Sequence, residues 1–432
     1  MPLSPRTARL PGLGRLAPAL GLALILGCGD DLGGGPSKDA QGGDATVAPA
    51  AETGGAGTDA GREPDAAPAR GDAPPSGTDG ASPGSEAGGA GLDAGSVESV
   101  EAGAGRADTV PPGPDFFTIA VLPDTQYSYY YSPSYFDAET AWIASNAAAE
   151  KIAFVLHEGD IVDSPLDSTQ WAAARSALSR LDGVVPYVLA AGNHDMALSA
   201  KPEAPRFTLL NDTFHFDDIA NRPGFGGAYQ AGHLEDAYYL FPAGGQTWLV
   251  LSLEFSPRPD VLAWASQVLD AYPTLPAIVV THAYLYSDGT RYDRSVPGRT
   301  CPMGGTVCTD MTPGANSQCW NPLCYLPDGS DGEMIWEAVG QSHGNLRFVF
   351  SGHVANPAPY DAARLTSTRP DGTVCHQMLA DYQADGATGG DGYFRLLRVF
   401  TDGRVEVRTF SPYVSPAAAY WTEDRNQFTL RI

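Results

Sequence analysis

Six side chains able to hold a metal ion or move a proton sit at the ends of apolar runs in this 432-residue chain: Asp124, Asp160, Asn193, His194, His282 and His353. The stretch Leu156 to Asp163, reading LHEGDIVD, organises the others. An apolar run that stops at Gly159-Asp160 places a short carboxylate at the carboxyl end of a strand, where open α/β folds bind their ligands. Gly-Asp is also a common turn, so the weight comes from the company it keeps. Gly192-Asn193-His194-Asp195 closes another run, and His282 and His353 close two more. Carboxylate, amide and imidazole together make the mixed oxygen and nitrogen set that suits a borderline transition metal. Asp160 is the candidate for a shared metal ligand.

The elements that must carry these residues follow from hydrophobic patterning. Phe116 to Leu122, Ile152 to His157, Val184 to Ala190, Ala277 to Thr281 and Leu346 to Phe350 read as strands. Tyr135 to Lys151, Ser168 to Leu181, Pro259 to Tyr272 and Gly332 to Ser342 read as helices, the third opening on a proline that suits a first turn. Ala237 to Phe241 and Trp248 to Leu253 pair about a turn at Pro242 to Gln246, and Gly392 to Phe400 pairs with Arg404 to Ser411 about Thr-Asp-Gly. Alternating strands and helices predict an α/β sheet with its site along one rim.

Read in order, Asp124-Thr-Gln126, Gly159-Asp160-Ile-Val-Asp163, Gly192-Asn193-His194-Asp195, Thr281-His282 and Gly352-His353-Val-Ala355 strongly resemble the calcineurin-like metallophosphoesterase superfamily. That family carries Asp-x-His, Gly-Asp-x-x-Asp, Gly-Asn-His-Asp/Glu, a lone His and Gly-His-x-His at successive strand ends, and the resemblance spans about residues 116 to 411. It implies a four-layer αββα sandwich and hydrolysis of a phosphate monoester or diester by a metal-activated water. It also implies that Asp160 bridges two ions and that Asn193, His282 and His353 complete the second position. Asp124 and the amide oxygen of Gln126 would serve the first. His194, helped into place by Asp163, would face the phosphoryl group.

The cofactors so implied are one or two divalent or trivalent ions: Mn, Fe or Zn at the second position, and a weaker Mn, Mg or Ca at the first. Two departures concern that first position. Gln126 stands where the family has its first imidazole and Ala355 where it has its last. Asn356, His157 and His376 are the substitutes the sequence offers. A thinned first position also suits a second reading, a catalytically weakened surface protein with a binding or structural role.

Around this set, His157 is expected to hydrogen-bond behind the ligands, and Asp195 to anchor its own loop through backbone N–H groups. Tyr127, which opens the aromatic run to Tyr131, is expected to wall the cleft or stack on a substrate base or sugar, with plain packing of the lip as the alternative. Tyr284 and Arg291 are expected on the substrate side, Arg291 as a phosphate clamp, with an acidic side chain as the competing partner.

The ends and the charge set the context. A net charge of −25 disfavours duplex nucleic acid as a partner. Arg6, Arg9 and Arg15, the apolar Leu16 to Leu26, and Gly27-Cys28 form an export signal that resembles the lipobox of bacterial lipoproteins. The implication is a protein acylated at Cys28, held to a membrane of the cell envelope by its acyl chains, with its folded part in the periplasm or at the cell surface; an ordinary secreted protein is the alternative. Residues 29–114 are almost entirely small, polar and acidic, so they read as a disordered linker. Residues 115–432 remain as the catalytic domain. Within 300–325, Cys301, Cys308, Cys319 and Cys324 allow three pairings, and an oxidising compartment makes two disulfides the expected state, with Cys375 left over. The substrate would be a phosphorylated small molecule or a phosphodiester; the sequence leaves protein partners open.

Overall fold

A computed structural model of the chain describes residues 115–131, 134–295, 320–386 and 388–432. The export signal with Cys28, the linker, and Cys301, Cys308 and Cys319 lie outside the described residues. In chain order, β1 (Phe116–Leu122), α1 (Tyr135–Asn146), β2 (Ile152–His157), α2 (Ser168–Leu178) and β3 (Tyr187–Leu189) come first. Two short helices, α3 (Leu210–Phe214) and α4 (Phe216–Ala220), precede β4 (Phe225–Ala228), the hairpin β5 (Ala237–Ala243) and β6 (Gln246–Leu253), α5 (Pro259–Ala271) and β7 (Ala277–Thr281). After α6 (Gly332–Ile335), which runs on as a wider π turn to Gly340, come β8 (Leu346–Ser351), β9 (Ala362–Thr368) and β10 (Val374–Ala380). β11 (Phe394–Phe400), β12 (Arg404–Phe410), β13 (Tyr420–Trp421) and β14 (Phe428–Arg431) close the chain.

One sheet runs β13-β12-β11-β1-β2-β3, with β14 also on β12; the other runs β4-β5-β6-β7-β8-β10-β9. β1, β2 and β3 are mutually parallel, as are β6, β7, β8 and β10. Period-two alternation explains how strands apolar along their whole length serve two interfaces. Trp248, Val250, Ile278, Val280, Phe348 and Phe350 join the core shared with the first sheet, whereas Leu249, Leu251, Val279 and Val349 pack with Val261 and Leu262 of α5. Between the sheets Phe154 stacks on Phe241 at 4.7 Å, and Phe117 meets Trp248 edge-on at 5.4 Å. On the outer side of the first sheet, Trp142 of α1 packs 4.7 Å from Phe410. The layers are helix, sheet, sheet, helix, as expected.

Local chemistry explains the element ends. Ser134 caps α1 by accepting from the Asp137 N–H, and Asp167 caps α2 through Thr169 and Gln170. α1 stops at Asn146, short of the expected Lys151. Asn146 bonds back to the Trp142 carbonyl, and Lys151, at φ 53°, turns the chain into β2. β3 is shorter than expected because the N–H groups of Val184 and Val185 both go to the Leu181 carbonyl and Pro186 has none to give. The helix expected over 332–342 keeps α-geometry for only four residues. Patterning missed α3, α4, β4, β13, β14 and the hairpin of β9 and β10. In that hairpin His376 and Gln377 break the apolar run of a strand that is nevertheless buried.

Candidate metal centre

The rim where the parallel strands end gathers the polar residues. β2 passes through Gly159 into Asp160, β3 is followed by Asn193-His194, β7 by His282 and β8 by His353. Ligand atoms of Asp160, His282 and His353 lie within 4.8 Å of one another, and all three residues are buried. His282 Nε2 is the centre of this group. It stands 3.1 Å from Asn193 Oδ1, 3.2 Å from Asp160 Oδ2 and 3.2 Å from His353 Nδ1.

Tautomers decide what these atoms can do for each other. His282 Nδ1 lies 3.0 Å from the Glu158 carbonyl and His353 Nε2 lies 2.7 Å from the Trp320 carbonyl, so each of those nitrogens carries the ring proton. His282 Nε2 and His353 Nδ1 are thereby left as lone pairs, facing an amide oxygen and a carboxylate oxygen. Four acceptors converge with no proton among them, and only a cation or an extra proton on His282 satisfies them all. Atoms held roughly 2.1 Å from one ion sit about 3.0–3.4 Å from each other, so the spacing fits a metal. The electrostatics agree. Burial opposes the charge on His282, yet Asp160 draws its pKa up, and burial together with the His282 charge takes His353 down to about 3. Asp160 ionises below its ordinary range despite burial, because His282 and His194 face it.

Gly159, at φ 104°, is needed to turn the chain into Asp160, whereas Gly192 and Gly352 are needed for close approach. A Cβ on Gly192 would sit 2.1 Å from Asp160 Oδ1, and one on Gly352 would sit 2.0 Å from Asp124 Oδ1. Asp160 (φ 49°) and His353 (φ 75°) hold left-handed backbone, which costs on the order of 1–3 kcal/mol each and is the kind of strain that gathers at functional sites.

His194 differs from the buried ligands in that its side chain is 36% exposed. Its backbone N–H donates to Asp160 Oδ1 at 2.9 Å, while Nδ1 donates to the Asp163 carbonyl at 2.9 Å and lies 3.3 Å from the Asp163 carboxylate. Tyr130 donates to that carboxylate at 2.6 Å. Neither ring contact uses Nε2. Burial opposes protonation, but Asp160 and Asp163 raise the His194 pKa to about 9. Asp195 is an anchor: its carboxylate accepts from the N–H groups of Ile161, Val162 and Gly192, tying the loop of Asp160 to the loop of Asn193. Behind the ligands, His157 Nδ1 accepts from the Gly159 N–H and Nε2 donates to Thr125 Oγ1 at 3.0 Å. Burial and the charge of His282 hold His157 neutral, with its pKa down to about 3.

Asp124 borders this group without joining it. It accepts from the His353 N–H at 3.2 Å, and Gln126, next along, is buried with its Oε1 unpartnered. Tyr127 lies half-buried on the lip, 6.2 Å from Tyr130. Tyr284 and Arg291 need correction. Tyr284 is buried and donates to Gln377, while Arg291 is committed to Gln377, Glu333 and Ser367 and lies over the Trp336 ring, 4.3 Å from its centroid. The competing use, an acidic partner, is the one realised in Glu333. His376 is taken by Thr366 and the Arg431 carbonyl; Asn356 gives its Nδ2 to Ser287, while its buried Oδ1 has no hydrogen-bond partner.

Patterning missed four contributors: Tyr130 behind Asp163, the Trp320 carbonyl on His353, and Asp381 and Gln383 beside Asp124. A signal for the last pair was present. Met378-Leu379-Ala380-Asp381 is another apolar run ending in a carboxylate, with a glutamine two residues on.

A family model described as calcineurin-like phosphoesterase matches residues 117–357. "Uncharacterized protein YvnB" of Bacillus subtilis (strain 168) is 31% identical over 339 residues, which cover 75% of this chain; the chain spans 22% of the length of that relative. Among solved structures, a dimetal phosphatase from Danio rerio aligns with 13% identity over 73% of this chain and 98% of its own, at a TM-score of 0.43. A purple acid phosphatase from yellow lupin (Lupinus luteus) seeds aligns with 16% identity over 74% of this chain and 54% of its own, at a TM-score of 0.44.

Proposed function

The chain belongs to the calcineurin-like phosphoesterase family, and on that premise we propose that it hydrolyses a phosphate monoester or diester with the help of metal ions. One observation carries the reading: Asn193 Oδ1, Asp160 Oδ2 and His353 Nδ1 all converge to within 3.1–3.2 Å of His282 Nε2, a buried cluster of ligand atoms that a cation would hold together. These residues would hold one ion at the second position, and Asp124, Gln126 and the shared Asp160 would face another at the first. Ions held there supply Lewis acidity toward a phosphoryl oxygen and toward water.

The chain's own groups do the rest. The partly exposed His194 ring has Nδ1 held against Asp163, a contact that favours its charged form, so it can donate a proton from Nε2. That suits a non-bridging phosphoryl oxygen or the departing ester oxygen. Asp163 fixes the ring through Nδ1, and Tyr130 fixes Asp163. Asp195 keeps the two loops in register. The weakened-copy reading rests on Gln126 and Ala355, both at the first position.

The test uses the full chain supplied with Mn, Zn or Fe against an aryl phosphate and a diaryl phosphodiester. Hydrolysis of either, abolished in Asn193→Ala and in His194→Ala, is expected; no turnover with any metal on either ester class would overturn the proposal. Export with acylation at Cys28 belongs to the same reading. It is tested by whether Cys28→Ala moves the protein from the membrane to the soluble fraction; protein that stays on the membrane would refute the anchor.

A further inference from the structure

Resting on the metal-dependent reading above, we propose that Asp381, with the amide oxygens of Gln383 and Gln126, takes the place of the imidazoles absent at 126 and 355. The first metal position then becomes an all-oxygen site for a hard divalent cation. Topology puts Asp381 there. β10 runs parallel to β8 with Leu379 opposite Ser351, so Asp381 leaves its strand beside Gly352-His353 on the same rim. Asp381-Tyr-Gln383 thus repeats, after β10, the Asp124-Thr-Gln126 arrangement that follows β1. The family match ends at residue 357, before this segment begins.

The side chains bear this out. The Gln383 amide donates to Asp381 Oδ2 at 2.9 Å and to Asp124 Oδ2 at 3.4 Å, a single NH2 wedged between two carboxylates. A divalent ion is what ordinarily occupies such a position. Asp381 (0% exposed), Asp124 (3%), Gln126 (2%) and Gln383 (7%) are all cut off from solvent. Yet Gln126 Oε1 and Gln383 Oε1 have no hydrogen-bond partner. Buried amide oxygens left without donors are costly, about 1–3 kcal/mol each, unless something electropositive belongs there. Among the described residues no Lys or Arg pairs with Asp124, Asp160 or Asp381. Asp160 is offset by His282 and His194, but Asp124 and Asp381 have no paired Lys or Arg among the described residues and repel each other.

The donor set selects the ion. Carboxylate and amide oxygens without imidazole suit Mg, Ca or Mn, whereas the second position, with its two imidazoles, suits Zn, Fe or Mn. The centre would be asymmetric in chemistry as well as in ligands.

The experiment loads the full chain with Mn alone, removes free ion and measures bound Mn per chain together with a binding isotherm, for wild type, Asp381→Asn and His282→Ala. Two ions in wild type are expected. Asp381→Asn should retain one tight ion and weaken the other by about 100-fold, since even residues one step behind a ligand change affinity 10- to 100-fold. His282→Ala should lose the complementary ion. Two ions of unchanged affinity in Asp381→Asn, or a single ion in wild type that only His282→Ala removes, would overturn the assignment and leave the metal-dependent reading standing. No ion in wild type would overturn both. Should Asp381→Asn fail to fold, as judged by circular dichroism, anomalous diffraction from Mn-loaded wild-type crystals decides. A peak in contact with Asp124, Asp160 and Asp381 supports the proposal, and a peak without Asp381 in contact refutes it.

Discussion

Replacing Asp195 with alanine should cripple the centre without touching a ligand. The carboxylate accepts from Ile161 N–H at 2.9 Å, Val162 N–H at 3.1 Å and Gly192 N–H at 2.8 Å, and it is fully buried. Removing it leaves three backbone donors with no acceptor. Each orphaned buried donor costs about 1–3 kcal/mol, and water entering the space left by the side chain recovers part of that, so a loss of about 3–5 kcal/mol is expected. The assay is urea unfolding of the full chain after chelator treatment, so that bound metal does not contribute to the folded state. Metal affinity at the Asn193 and His282 position should fall alongside, because the loops of Asp160 and Asn193 are no longer tied together. A stability loss under about 1 kcal/mol, against that expectation, would show that the loops are held by something else and that the anchoring argument is wrong.

Other perturbations separate roles that look alike in sequence. Arg291→Ala should cost about 2–4 kcal/mol of stability through lost bonds to Gln377, Glu333 and Ser367 and the lost stack on Trp336, with KM for a phosphate ester unchanged; a tenfold rise in KM at full stability would restore the phosphate clamp. Tyr130→Phe removes one hydrogen bond to Asp163, worth about 0.5–1.5 kcal/mol, so kcat should fall roughly 2- to 10-fold at constant metal content; unchanged kcat would detach Tyr130 from the site. Phe154→Ala, in the stacked aromatic layer between the sheets, should cost about 3–5 kcal/mol in urea unfolding, and a cost under 1 kcal/mol would contradict the assigned core.

Much of the site was legible because its ligands sit at strand ends and its strands are simple. Where a strand is buried on both faces its residues form an unbroken apolar run, as in Ala277–Thr281, and the first polar residue after it marks the rim. The glycines were legible for a related reason: Gly192 and Gly352 lie against the carboxylates of other loops, so no side chain is tolerated there. β10 escaped because Gln377 and His376 interrupt its run, one bonded to Tyr284, Arg291 and Ser367 and the other to Thr366 and the Arg431 carbonyl. Those partners come from distant segments, which no local pattern reveals, and Asp381 went unnoticed with the strand. Arg291 was misassigned for the converse reason. Its place after His282 suggested the cleft, whereas the fold surrounds its guanidinium with Gln377, Glu333, Ser367 and Trp336.

Metal-edge anomalous diffraction from crystals of the full chain grown with Mn or Zn tests the centre most directly. A peak should appear among Asp160 Oδ2, Asn193 Oδ1, His282 Nε2 and His353 Nδ1, roughly 2.0–2.2 Å from each. A well-folded chain in saturating metal whose His282 ring still bonds to Asn193 and Asp160, with no peak between them, would contradict the account.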